Sequence, residues 1–125
     1  MKRVMLSIVV GGALVSAPLL LRAQDPVKVD PKHYKVEFEN NEVRILRINY
    51  GPGEKSVMHV HPETVAVFLT DQKATFTTPD GKTTEVNAKA GEVKSLPAGP
   101  HLPQNIGDKP MELILVELKN KSAAK

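Results

Sequence analysis

Apolar and polar positions alternate with period two along most of this chain, and that alternation predicts strands. Residues 34–39 (Tyr-Lys-Val-Glu-Phe-Glu) alternate cleanly, as a half-buried strand does when successive side chains point to opposite faces. Asn40-Asn41 marks a turn, and residues 42–50 (Glu-Val-Arg-Ile-Leu-Arg-Ile-Asn-Tyr) give a second strand. Its apolar phase shifts between Ile45 and Leu46, as a β-bulge requires, and Arg44 and Arg47 are expected on its solvated side. Gly51-Pro52-Gly53 and Pro62 bracket a short run ending in His59-Val60-His61. Residues 64–70 are apolar on both faces, the pattern of a strand at the centre of the fold or at a subunit interface. Thr-rich runs on either side of Pro79-Asp80-Gly81 read as a hairpin. A short strand then leads from Gly91 into a Pro/Gly corner and past His101, and residues 111–118 close the series. Eight or nine short strands, closely spaced turns and no helical periodicity beyond residue 23 predict an all-β sandwich or barrel.

The first 23 residues follow a different pattern. Met1-Lys2-Arg3 precedes an apolar run from Val4 to Leu21, followed by Arg22-Ala23, the layout of a secretory signal with a basic start, an apolar middle and a small residue at the cut. Cleavage after Ala23 is expected, placing the mature chain in the periplasm or outside the cell. Leu21 is larger than the residue usually found there, so an uncleaved N-terminal anchor is the alternative. Residues 24–33, with two prolines and little to bury, read as a linker or N-terminal arm, 34–119 as one domain and 120–125 as a flexible polar tail.

The signal changes the meaning of the charge. The whole chain carries 17 basic and 14 acidic residues, but Lys2, Arg3 and Arg22 belong to the signal, and the remainder is formally neutral. No basic run with interleaved aromatics survives to bind nucleic acid, and no membrane segment remains once the signal is removed. The chain has no cysteine and no tryptophan. It therefore has no disulfide and no thiolate ligand, and with few aromatics its core is expected to be built from Val, Ile, Leu and Ala. At this size such a core is modest, and a bound metal or a homodimer would add to it.

The chemistry lies in the histidines. On a strand His59 and His61 project to one face while Val60 points to the other, so two imidazoles converge, and imidazole is the commonest metal ligand. Alone, the pair also fits a surface or packed pair. His101 follows a separate corner that can bring a third ring alongside. His33 sits in the arm and is assigned no role.

These pieces resemble the two motifs of the cupin superfamily. The first, a glycine, five residues and His-x-His, is matched by Gly53, His59 and His61. The second, a glycine, five residues, Pro-x-Gly, a histidine and an asparagine, is matched by Gly91, Pro97, Gly99, His101 and Asn105, with one residue fewer than usual between Gly99 and the histidine. The resemblance implies a cupin-type double-stranded jelly-roll barrel over residues 34–119. It also implies a divalent transition metal (Fe, Mn, Zn, Ni or Cu) held by His59, His61 and His101, with Asn105 as a hydrogen-bond anchor. Small cupins linked to β-amino-acid degradation share Gly-Glu-Lys before the histidines and His-Pro-Glu after them, pieces typical of the fold at large.

The departure from the pattern is at the fourth ligand: the family's glutamate falls on Val65, and its following glycine on Gln72. Glu63 is a weaker candidate substitute and Gln104 a fainter one. An ion held by three neutral rings keeps its full charge and favours a small anionic ligand, with Val65, Val67 and Leu69 expected to form a dry pocket around it. Metal release is expected as pH falls below about 6, where an ordinary imidazole protonates. Three readings remain open. One is a dioxygenase-like oxidoreductase acting on a small anion; another is a non-catalytic module that binds a small molecule or the metal; the third is purely structural, with the histidines stabilising the fold or a dimer.

Overall fold

The computed structural model describes residues 24–119; the expected signal, 1–23, and tail, 120–125, lie outside the described residues. Nine strands account for most of that span. They are β1 (Tyr34–Glu39), β2 (Val43–Tyr50), β3 (His59–His61), β4 (Thr64–Phe68), β5 (Gln72–Thr77), β6 (Thr83–Ala88), β7 (Val93–Leu96), β8 (Gly99–Asn105) and β9 (Met111–Leu118). They form a five-stranded sheet in the order β1-β2-β9-β4-β7 and a four-stranded sheet in the order β3-β8-β5-β6. Every pairing between the strands is antiparallel. The expected β-hairpin is present, with β5 and β6 paired from Gln72↔Ala88 to Thr77↔Thr83 around Gly81 at φ +84°.

The alternation read from sequence becomes rows of side chains on the inner face of the larger sheet. Leu46, Leu115 and Ala66 form one row, Ile48, Leu113 and Phe68 the next, and Tyr50 with Met111 the last. All eight are buried, and with Tyr34, Ala74 and Ala88 they make the core. The row at the other end is Arg44, Glu117 and Thr64. Arg44 thus stands in phase with Leu46, Ile48 and Tyr50 on the inner face rather than on the solvated side. It bonds Glu117 at 2.9 Å and Asp25 at 2.8 Å. Arg47 does face outward, between Glu37 (2.5 Å) and Glu112. The bulge lies where the phase shift falls, but on the neighbouring strand: Val36 pairs with Leu46 and Phe38 with Ile45, leaving Glu37 as the extra residue.

Residues 24–33 are an integral part of the barrel. Asp25 caps a single turn of helix, α1 (Pro26–Val29), by accepting the Val27 N–H at 2.9 Å, and Pro26 fills the first helical position, where no N–H is needed. The Gln24 carbonyl accepts the Val60 N–H, so the segment runs against β3. Asp30 and His33 are 8% and 5% exposed. Asp30 accepts from the Ser56 hydroxyl at 2.6 Å and bonds His33 Nδ1 at 2.8 Å, and His33 stacks on Tyr50 with ring centroids 4.2 Å apart. This order comes from buried polar contacts, to which apolar periodicity is blind.

Asn105 ties the two motif regions together. Its amide donates to the carbonyls of Gly51 (3.1 Å) and Lys109 (2.8 Å), and its oxygen accepts the Gly107 N–H at 2.9 Å. It is 1% exposed. Asn105→Ala strands these groups in the interior and is expected to lower unfolding free energy by about 1–3 kcal/mol, read from urea denaturation. An unchanged midpoint would show that the two turns hold without it.

Candidate metal centre

The site is made by one strand pairing. In the β3–β8 ladder His59 lies opposite His101, Val60 opposite Pro100 and His61 opposite Gly99. Directly opposed residues of an antiparallel pair carry their side chains on the same face about 5 Å apart, and His61 joins that face by being two residues from His59. Gly99 takes φ +148°, a conformation that side chains rarely adopt, and it turns the chain from the β7 end into β8. The three rings meet edge to face: centroids lie 4.8 Å apart for His59 and His61, 4.9 Å for His59 and His101, and 5.2 Å for His61 and His101. One nitrogen from each ring falls within 4.8 Å of the others.

Hydrogen bonds behind the rings decide which nitrogen faces inward. His59 Nδ1 lies 2.8 Å from the Val57 carbonyl; a carbonyl only accepts, so Nδ1 carries the proton and Nε2 presents a lone pair. His61 Nδ1 lies 3.3 Å from Glu117 Oε1, so it donates to the carboxylate and frees its own Nε2. The two Nε2 atoms are 3.1 Å apart, a spacing that two ligands each about 2.0–2.1 Å from one ion can adopt. His101 Nε2 is buried, with no hydrogen-bond partner among the described residues. A buried imidazole nitrogen without a partner, on a ring packed against two others that present lone pairs, fits a shared cation.

The electrostatics agree. Burial, reinforced by the neighbouring His61, pushes His59 down to about 4. Burial and the other two rings push His101 down to about 3. Both therefore stay neutral, as ligands must be, well below the pH at which a solvated imidazole protonates. Burial raises Glu117, but hydrogen bonds from His61 and Arg44 outweigh it and hold the carboxyl below its ordinary range. Glu117 therefore remains an anion behind His61, orienting the ring as outer carboxylates do at metal sites.

Strand alternation settles what lies around the three rings. Val65 and Val67 alternate with the buried Thr64, Ala66 and Phe68 and so face the outside of the sheet, and Leu69 is 43% exposed. None of the three lines the cavity, and the dry pocket expected from them is built by other residues. At this level of β4 the inward side chains are Thr64 and Ala66, neither of which is a carboxylate. Glu63 is half-buried beyond the end of β3, outside the histidine group. Gln104 alternates with the inward-facing Pro103 and Asn105, and its amide donates to the Gly53 carbonyl at 3.3 Å.

A cavity of about 420 Å³ opens beside His61 and His101. Its walls include Phe76, Ile48, Leu113 and Met111, with polar groups from Thr64, Gln72, Tyr34 and Tyr50. No charged side chain lines it. The hydroxyls of Tyr34 and Tyr50 bond each other at 2.7 Å, and burial raises both phenols well above their ordinary value, so both stay protonated. Sequence reasoning gave Glu117 no place, set Arg44 on the solvated side and met Gln72 only as the position of the family's glycine. Each carries the signal of a polar residue in phase with an inward apolar row.

No family model matches the chain, and no curated protein matches it. Solved structures do. A cupin domain from Bordetella pertussis Tohama I is 24% identical, with a TM-score of 0.64 over 69% of this chain and 91% of that one. An RmlC-like cupin family protein with a double-stranded β-helix fold, from Methanocaldococcus jannaschii, is 25% identical with a TM-score of 0.56, covering 76% and 90%. A double-stranded β-helix protein from Klebsiella pneumoniae is 23% identical with a TM-score of 0.57, covering 70% and 76%. Set beside the two-sheet barrel and the three converging rings, these likenesses make the chain a cupin by fold, with histidines close enough to hold one metal ion.

Proposed function

We propose that the protein holds a divalent transition metal through His59, His61 and His101 and uses it on a small anionic ligand bound in the adjoining cavity, as a dioxygenase-like oxidoreductase. The observation that carries this reading is the cluster of three ring nitrogens within 4.8 Å of one another, one of them the buried, unpartnered His101 Nε2, beside a largely apolar cavity. A bound metal would supply Lewis acidity and, for iron or manganese, redox chemistry toward the ligand and dioxygen. The protein's own part is positioning and exclusion. Three neutral rings add no negative charge to the ion, Glu117 with Arg44 behind it fixes His61, and the aliphatic and aromatic walls keep water out. The cavity wall holds no carboxylate, lysine or arginine, and the two tyrosines serve as neutral hydrogen-bonding groups.

We propose in addition that the chain is exported, on the strength of its first 23 residues. Protein recovered from the periplasm should begin at Gln24 by intact mass; a full-length mass in the cytoplasm would reject this.

Elemental analysis of protein purified without an affinity tag should find close to one transition-metal ion per chain. His59→Ala, His61→Ala and His101→Ala should each weaken metal binding by at least about tenfold. With iron loaded, oxygen uptake with a panel of small chelating carboxylates supports the oxidoreductase. Tight binding of those acids without any oxygen uptake would leave a binding module in its place.

The lowered values of His59 and His101 set the pH response. Between about 6.5, where unfolded histidine protonates, and about 4, the unfolded chain takes up protons that the buried rings refuse. Stability of the metal-free protein is thus complete above pH 6.5 and declines as pH falls, at up to about 1.4 kcal/mol per unit for each ring. The melting temperature should drop between pH 7 and pH 4.5. Bound metal should persist at pH 5, lower than the release near 6 expected for solvated histidines. A melting temperature flat across that range, or metal lost at pH 6, would show that the rings are more solvated than their burial implies.

A further inference from the structure

Gln72 carries a signal that neither the fold nor the metal centre uses. It opens β5 and is 7% exposed. Its Oε1 is buried and has no hydrogen-bond partner among the described residues. An amide left unpaired in a protein interior is costly, and natural structures retain few of them. The side chain is in phase with Ala74 and Phe76, so it points inward, and it lines the cavity that reaches His61 and His101. Phe76 rests against His101 with ring centroids 4.3 Å apart. Four residues of strand separate Phe76 from Gln72, about 13 Å at a rise of about 3.3 Å per residue. The cavity therefore has two polar places: the histidine trio at one and the unpaired amide oxygen of Gln72 at the other. The rest of the wall is largely apolar, with Ile48, Leu113 and Met111, and the hydroxyls of Tyr34 and Tyr50 in it are bonded to each other.

From this we infer that the ligand is bifunctional: a carboxylate or similar chelating anion at the histidines, an aliphatic or aromatic body in the middle, and a terminal hydroxyl, amide or amine that hydrogen-bonds to Gln72. This rests on the metal-centred reading of the preceding subsection and adds to it the shape and second polar group of the substrate. Gln72 is the residue that distinguishes such a molecule from a plain fatty or aromatic acid of the same length. Its amide can donate and accept, so a terminal hydroxyl satisfies it in either orientation. An acid ending in a methyl group would leave it unpaired.

The test uses the full chain loaded with zinc, which is redox-silent, and two series of straight-chain acids of four to eight carbons, one ending in methyl and one in hydroxyl. Calorimetric titration should show the hydroxy acids binding more tightly by roughly tenfold at the length that spans the cavity, and that preference should vanish in Gln72→Leu. A second variant, Gln72→Met, guards against a folding defect. Because the unpaired amide is removed, ligand-free Gln72→Met should melt at the same or a higher temperature than the parent and should also lack the preference. Equal binding of the two series by the parent, or a preference that persists in both variants, overturns the role of Gln72 while leaving the metal centre intact. Binding that is unchanged when zinc is stripped or His101 is replaced overturns the anchoring of the acid at the metal, and with it the two-ended ligand. Failure of every acid to bind does the same.

Discussion

The antiparallel pairing of β3 with β8 is the constraint on which the site depends. It sets His101 opposite His59, and with His61 two residues along the same strand it forces three imidazoles into one desolvated corner. Burying three polar rings against one another is unfavourable unless their nitrogens are satisfied. Two are satisfied from behind, His59 by the Val57 carbonyl and His61 by Glu117. Those bonds also fix the tautomers of these two rings, so that their inward-facing Nε2 atoms are acceptors. The nitrogens of the three rings lie within 4.8 Å of one another, close enough to share one cation.

The rest of the barrel is graded around that corner. On the inner face of the larger sheet the rows run from Arg44, Glu117 and Thr64 at the histidine end to wholly apolar rows beyond. The charged row is self-contained, since Arg44 is shared between Glu117 and Asp25, and Asp25 also caps α1. A single chain of contacts thus joins the N-terminal segment to the carboxylate behind His61. A second joins the same segment to the other side of the site: His33 to Asp30, Asp30 to Ser56, and Ser56 Oγ to His59 Nδ1 at 3.3 Å. Residues 24–33 therefore act as the outer support of two of the three rings.

Much of this was legible from the residues alone. Period-two alternation located the strands, because a half-buried sheet shows its alternation directly in sequence. Two histidine motifs in the right order located the three rings, because a pair spaced two apart on a strand can only share a face. Less legible was anything set by partners across a sheet. The bulge was seen as a phase shift within β2 but sits on β1, since register belongs to a pair of strands and not to one. Arg44 looked solvent-facing because arginine usually is; its phase with Leu46 and Ile48 was the contrary signal. Val65 and Val67 looked like cavity walls by residue type, yet alternation from the buried Thr64 turns them outward.

The sequence by itself determined an all-β chain with one candidate metal trio, because alternation and local spacing are properties of consecutive residues. Tertiary structure alone decided that Glu117 and Arg44 stand behind His61, that the N-terminal segment packs on the barrel, and that Gln72 lines the cavity beside the histidines. Those contacts join residues tens of positions apart, Arg44 to Glu117 among them. Their existence depends on strand order and register, which no local pattern encodes.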